Sequence, residues 1–184
     1  MTPETADALA PRVPAELARD VIALRREHPI FRRRRFLQGV VHEDAGSVLK
    51  DVEWLGTDGE PMTEEEWNDP QNKCLTMFLN GSAIPEPNSR GERIEGDSAL
   101  VVFNASGNDV DVVLPGEEYG AEWEVVLGTG DTIEIGSVFD AGQQVVRPEP
   151  LLGRGPVEEI DCCSLPGTTV GDQFFGHFLI DDSA

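Results

Sequence analysis

The sequence predicts a mainly β protein: an antiparallel β-sandwich preceded by one α-helix. Three observations carry that reading. Beyond residue 36, apolar residues alternate with acids: Val52 and Trp54 against Asp51 and Glu53, Trp123 and Val125 against Glu122 and Glu124, Ile133 and Ile135 around Glu134. Period two with one polar face marks half-buried antiparallel strands. Gly- and Asp-rich breaks at 56–59, 81, 107–109, 115–116 and 128–131 separate these runs, and many short strands so spaced argue for a sandwich. Ahead of them lies a single stretch of helical periodicity.

That stretch is AELARDVIALRREH, residues 15–28. Leu17, Val21, Leu24 and His28 fall on one face, with Ala18 and Ile22 beside them. Pro14 suits the first helical position, where its missing N–H costs nothing. Glu16 and the Arg25–Arg26 pair complement the two ends of the helix dipole, and Pro29 stops the helix near His28. One helix of this length is marginal in water, so its apolar face must dock on something.

The strand candidates are Phe36–Val41, Lys50–Leu55, Lys73–Leu79, Ala99–Phe103, Val110–Leu114, Glu122–Leu127 and Thr132–Ile135. Ala99–Phe103 is apolar on both faces and belongs in the centre of a sheet. Between strands, PMTEEEWNDPQN (61–72) reads as one helical turn with Thr63 as N-cap and Glu66 completing a capping box. IPEPNSRGERIEGD (84–97) is a long polar insertion of the kind that often carries function. The chain divides into a loose N-terminus with helix (1–35), the sandwich (36–146) and a divergent tail (147–184).

Composition narrows the function. The chain has 184 residues, 14 Lys+Arg and 35 Asp+Glu, for a formal net charge of −21. Such a chain repels phosphate backbones and anionic lipid, so neither nucleic acid nor membrane is expected as a partner. The charge is segregated: residues 1–36 hold eight arginines against five acids, and the remainder holds six bases against thirty acids. No run approaches the ~20 apolar residues of a spanning helix, and the first twenty residues lack a signal-peptide core. Three cysteines, Cys74, Cys162 and Cys163, make no disulfide framework, so a cytoplasmic setting is expected.

The residues offer no catalytic constellation. An acid/base pair of glycosidase type needs two carboxyls about 5–9.5 Å apart, and with so many acids proximity alone means little; most are read as solvated surface. His28, His42 and His177 stand at no metal-ligand spacing, and Cys162-Cys163 lacks the spacer of a knuckle. Neither a phosphate loop nor a nucleophile elbow is present. Catalytic, metal and cofactor residues are therefore all expected to be none. FRRRRF, Phe31–Phe36, is read as a connector docked on the acidic body or on an acidic neighbour, its phenylalanines as anchors and its arginines paired with carboxylates, in preference to a nucleic-acid patch. Trp54 and Trp123 are expected in the core; Trp67 is the exposed candidate, read equally as a sugar-stacking contact or as a lid over the core edge.

Longer motifs add a resemblance. IALRREHPIFRRRRFLQG (22–39), KDVEWLGTDGEPMTEEEWND (50–69), LTMFLNGSAIPEPNSRGERIEGDSALVVFNA (75–105) and YGAEWEVVLGT (119–129) resemble, in order, the end of the catalytic domain and the following sandwich of bacterial glycogen-debranching enzymes of the isoamylase type, in the α-amylase superfamily of glycoside hydrolases. The likeness covers roughly residues 17–130. It implies that helix 15–28 is the last helix of a (β/α)₈ barrel and that residues 36–146 are the C-terminal sandwich packed on it. The family hydrolyses α-1,6 branch linkages with acids at the ends of barrel strands. Those strands would precede Met1, so no catalytic position is carried over and the chain reads as a truncated C-terminal portion, inactive by itself. The implied partners are α-glucan through the parent enzyme and a separate catalytic barrel. The alternative is a stand-alone, non-catalytic module binding α-glucan or a protein. Residues 147–184 match nothing in the family; a frameshift is the preferred origin, and Gln173–Ile180 is the candidate replacement for the family's closing strand. Far-UV evidence of sheet is expected to survive removal of 147–184.

Overall fold

The computed structural model describes residues 15–42, 47–106, 109–129, 133–146 and 176–181. The helix α1 spans Ala15–Glu27, followed by a 3-10 turn at Pro29–Arg32. The strands are β1 (Val52–Leu55), β2 (Cys74–Leu79), β3 (Ala99–Asn104), β4 (Val112–Val113), β5 (Glu122–Leu127), β6 (Val138–Asp140), β7 (Gln144–Val146) and β8 (Gly176–Asp181), with a short helix α2 (Glu64–Asn68) between β1 and β2. Pro14, expected to open α1, lies outside the described residues.

Six strands form one antiparallel sheet in the order β1-β2-β3-β8-β5-β6, and β4 pairs with β7 in a second, two-stranded sheet. β3 is central, as its apolar composition predicts, with β2 on one side and β8 on the other. The last strand of the chain therefore sits inside the sheet. It joins β3 to β5, with Leu100 opposite Leu179 and Val125 opposite Leu179.

Alternation assigns each strand's side chains to two cores. On the face toward β4, Leu55, Phe78, Leu100, Val102, Trp123, Val125 and Leu179 pack with Val112 and Leu114. Burial of each such side chain contributes roughly 1.5–3 kcal/mol relative to exposure. On the opposite face, Leu79, Ala99, Val101 and Ile180 pack with Ile30 of the 3-10 turn. α1 docks through Leu24, which is buried. Its neighbours Val21 and Ile22 stay 43 % and 57 % exposed, so only part of the predicted apolar face is covered.

Two strand expectations are corrected. Phe36–Val41 is not a strand: a single bridge joins Val41 to Lys50, and Gly39 takes a positive φ of 67°. The N–H groups of Gln38, Gly39 and Val40, which a ladder would need, donate instead to the carboxylate of Asp51. The expected strand Thr132–Ile135 is also absent across its described residues: Ile133 packs against the core, while Ile135 turns outward, 60 % exposed, just before Gly136 at φ 88°. The strands in this region are β6 and β7, further on. The helical turn with its capping box forms as predicted: Thr63 Oγ1 accepts from Glu66 N, and Glu66 Oε2 accepts from Thr63 N at 2.8 Å.

The polar insertion 84–97 packs closely on the end of β2. A Cβ on Gly81 would lie 2.1 Å from the carbonyl oxygens of both Gly96 and Asp97, so only glycine allows this approach. Among the described residues no helix is long and apolar enough to cross a membrane.

Candidate functional site

Two constellations stand out, and only one is open to solvent. The closed one centres on Asp51, which is fully buried just before β1. Its carboxylate accepts from Gly39 N at 2.8 Å, Gln38 N at 3.1 Å and Val40 N at 3.3 Å. Arg33 Nη2 donates at 3.0 Å, and His42 Nε2 stands 3.4 Å away. Burial opposes ionisation of Asp51, but the amides of Gln38 and Val40, the Arg33 charge and His42 outweigh it, and the carboxyl is held below its ordinary value. A carboxylate so engaged is a structural acceptor; it has no proton to give near neutral pH.

This cluster explains the FRRRRF run. Arg33 turns inward, while Arg32, Arg34 and Arg35 are exposed. Arg35 N donates to the buried Glu86 at 2.6 Å, which ties the run to the 84–97 loop. Docking on the acidic body thus runs through one arginine side chain and one backbone amide. Phe31 packs against the second core as expected, but Phe36 is 93 % exposed and is no anchor among the described residues. Asp51 and Glu86 were not singled out by sequence; the only local signal was an acid abutting an alternating strand.

The open constellation is a groove of about 760 Å³ between β1 and α2. Trp54 and Trp67 line it with ring centroids 5.7 Å apart and planes inclined by 55°. Trp67 is 55 % exposed, as predicted, and Trp54 is 37 % exposed, against the expectation that it is a core residue. The reason is parity. Trp54 points to the face opposite Leu55, together with Val52; Val52 packs on the second core, while Trp54, also on the edge strand β1, meets Trp67 of α2. Trp123, by contrast, is fully buried as expected. Gln38, Lys50, Glu53, Glu64 and Asn68 supply polar groups around the two indoles.

The remaining candidates are structural. His28 Nδ1 lies 3.0 Å from Asp97 Oδ2 and joins the end of α1 to the loop before β3. The side chain of His177, with Cys162 and Cys163, lies outside the described residues. Cys74 is buried, and burial pushes its thiol up to about 11, which leaves little thiolate for nucleophilic work. Among the described residues no group of three or more His, Cys, Asp or Glu side chains could hold a metal ion.

Comparison with known proteins decides the family. The profile of "Isoamylase, C-terminal" matches residues 51–154, more than half of the chain. This protein belongs to the isoamylase C-terminal family. The matched span begins at Asp51 and runs past β7, so it contains Asp51 and both groove tryptophans, Trp54 and Trp67, while the partners of Asp51 between Arg33 and His42 precede it. Relatives named "Glycogen operon protein GlgX homolog" from Mycobacterium bovis and Mycobacterium tuberculosis are 41 % identical over 116 residues, which is 63 % of this chain and 16 % of theirs. "Isoamylase 2, chloroplastic" from Arabidopsis thaliana is 26 % identical over 134 residues, 68 % of this chain and 13 % of that protein. The chain thus spans about a sixth of the length of the mycobacterial relatives it matches.

Proposed function

We propose that this domain serves a glycogen-debranching glycoside hydrolase, an enzyme that hydrolyses α-1,6-glucosidic branch linkages, as its non-catalytic C-terminal sandwich. The observation that carries the reading is the match of residues 51–154 to the isoamylase C-terminal profile, together with 41 % identity to proteins named for the glycogen operon. Two of the acids, Asp51 and Glu66, are unsuited to general-acid work. A retaining glycosidase needs one carboxyl with a raised pKa to protonate the leaving oxygen. Asp51 and Glu66 are both held below their ordinary values instead: Asp51 by the balance described above, Glu66 by hydrogen bonds from the Thr63 amide and hydroxyl. The exposed Val21 and Ile22 on α1 supply an apolar surface for the catalytic barrel, in this chain's assembly with it.

The alternative reading is a module that binds α-glucan or a protein partner with no barrel. The exposed tryptophan groove favours it. The two readings are separated by supplying a catalytic barrel of the debranching type that lacks its own sandwich. Co-purification with this chain, and maltooligosaccharide release from glycogen that depends on both, is the expected result. Release by this chain alone would overturn the non-catalytic reading, and failure of the two to associate would favour the module.

A further inference from the structure

We propose that the groove between β1 and α2 is a binding site for a neutral α-linked glucan chain, with Trp54 and Trp67 as its stacking platform; this rests on the reading of the domain as part of a glycogen-acting enzyme. Large aromatics are usually buried, because each indole removes much apolar area from water. Here two adjacent tryptophans are exposed, 37 % and 55 %, and the fold holds them together. The capping box of Thr63 and Glu66 fixes α2, and Met62 N donates to Trp54 O at 2.9 Å, which draws the segment before α2 onto β1. The platform is therefore built before any ligand arrives, which lowers the ordering cost of binding.

The surroundings select the ligand class. A pyranose presents apolar C–H faces to indoles and a rim of hydroxyls to polar side chains. Glu53, Glu64, Gln38 and Asn68 line the groove and supply the matching acceptors and amides. The Lys50 ammonium pairs with Glu53, and the chain as a whole carries −21, so a phosphorylated or carboxylated ligand is repelled while an uncharged polyol is not. The two indole planes meet at 55° rather than lying flat. A straight β-linked glucan ribbon needs coplanar platforms; an α-linked chain turns from residue to residue and can lay successive rings on inclined ones. The cavity, about 760 Å³, is of the size that holds a short oligosaccharide.

The experiment titrates the purified full chain with maltoheptaose and, separately, with cellohexaose, following intrinsic tryptophan fluorescence and calorimetric heat. Saturable binding of maltoheptaose is expected, weakened at least about tenfold in Trp67→Ala, in part restored in Trp67→Phe, and at least about tenfold weaker for cellohexaose. Trp67 is on the surface, and an unchanged far-UV spectrum of Trp67→Ala certifies the fold. Absence of any response to maltoheptaose overturns the proposal, as does unchanged affinity in Trp67→Ala. If Trp67→Ala instead weakens association with the catalytic barrel and leaves glucan binding intact, the groove is a domain contact and the proposal falls. The debranching reading is tested by the barrel association itself, so a chain that restores debranching without binding maltoheptaose sinks this site and leaves that reading standing.

Discussion

Arg33 Nη2 lies 3.0 Å from Asp51 Oδ2, with the two side chains 5 % and 0 % exposed. The Asp51 carboxylate also terminates the backbone of Gln38, Gly39 and Val40, so one acid organises the passage from α1 to β1. Replacing it by Asn keeps the shape but leaves the Arg33 guanidinium buried beside a neutral amide. Removing one partner of a buried pair costs about 3–5 kcal/mol. Asp51→Asn is expected to lower the urea midpoint accordingly, and Arg33→Met with Asp51→Asn to recover part of the loss; additive effects in that double-mutant cycle would show that the two do not act as a pair.

The same residue sets the acid limb. Its folded value is depressed, and an unfolded Asp titrates near ~3.9. Its stabilisation is therefore complete above that pH and is lost as pH falls through the lower folded value. Wild-type stability should drop below about pH 4, and the Asp51→Asn profile should be flatter there. Parallel slopes in the two proteins would assign the acid limb to other carboxylates.

At the alkaline end Tyr119 and Cys74 act together. Burial, with the Glu53 charge and its hydrogen bond, pushes Tyr119 up to about 12, and burial pushes Cys74 up to about 11. Both groups are favoured in their neutral forms by the fold. Their stabilisation is present below the unfolded values, near ~8.5 for Cys and ~10 for Tyr, and is lost as pH rises through the folded ones. Thermal melts should show stability declining above about pH 9, with the decline above pH 10 reduced in Tyr119→Phe. That variant keeps the edge-on ring contact with Phe78, at 4.9 Å between centroids, and removes only the hydroxyl that donates to Glu53.

Features decided within a few residues were legible in the sequence. The capping box is one, because Thr63 and Glu66 are three residues apart and each satisfies the other's amide. The centrality of Ala99–Asn104 is another, because both of its faces are apolar. Features decided at a distance were not. The apolar residues of Phe36–Val41 suit a strand, and the arrival of Asp51 from the far side of a loop takes up its amides. Trp54 alternates as a core residue does, but it stands on an edge strand, and position within a sheet is a property of chain order that no local pattern carries. For the groove, the exposure of Trp67 was readable from its acidic surroundings, and its meeting with Trp54 was not.

Thr63→Ala tests how firmly the groove is built. Loss of an N-cap threonine costs about 0.5–2 kcal/mol. α2 has only five residues and buries none of them, so there is little else to hold it. The expected outcome is a nearly unchanged global melt with a red-shifted, more quenchable tryptophan signal, because Trp67 leaves Trp54 while Trp123 stays in the core. An emission spectrum identical to wild type would mean that indole stacking alone keeps α2 in place.

The segment Gln173–Ile180, expected to replace the closing strand, supplies most of β8, and the place of β8 in the sheet argues against sheet surviving removal of 147–184. A strand added at an edge can be removed at the cost of one set of ladder bonds. β8 is not at an edge: it pairs with β3 on one side and β5 on the other, and β3 and β5 do not pair with each other. Its loss would leave two strands with open ladders and separate β5 and β6 from the rest of the large sheet. Leu179 and Ile180, both buried, would vanish from the two opposite cores. Each open edge is also a template for pairing with other chains. A chain ending at Val146 is therefore expected to lose cooperative unfolding and to aggregate. Leu179→Asp, which keeps the strand but places a charge in the core, should destabilise by several kcal/mol, at or beyond the upper end of ordinary point substitutions. Circular dichroism melts and sedimentation of both variants provide the measurement. A truncated chain that remains monomeric and melts cooperatively would show that β3 and β5 can close on each other without β8.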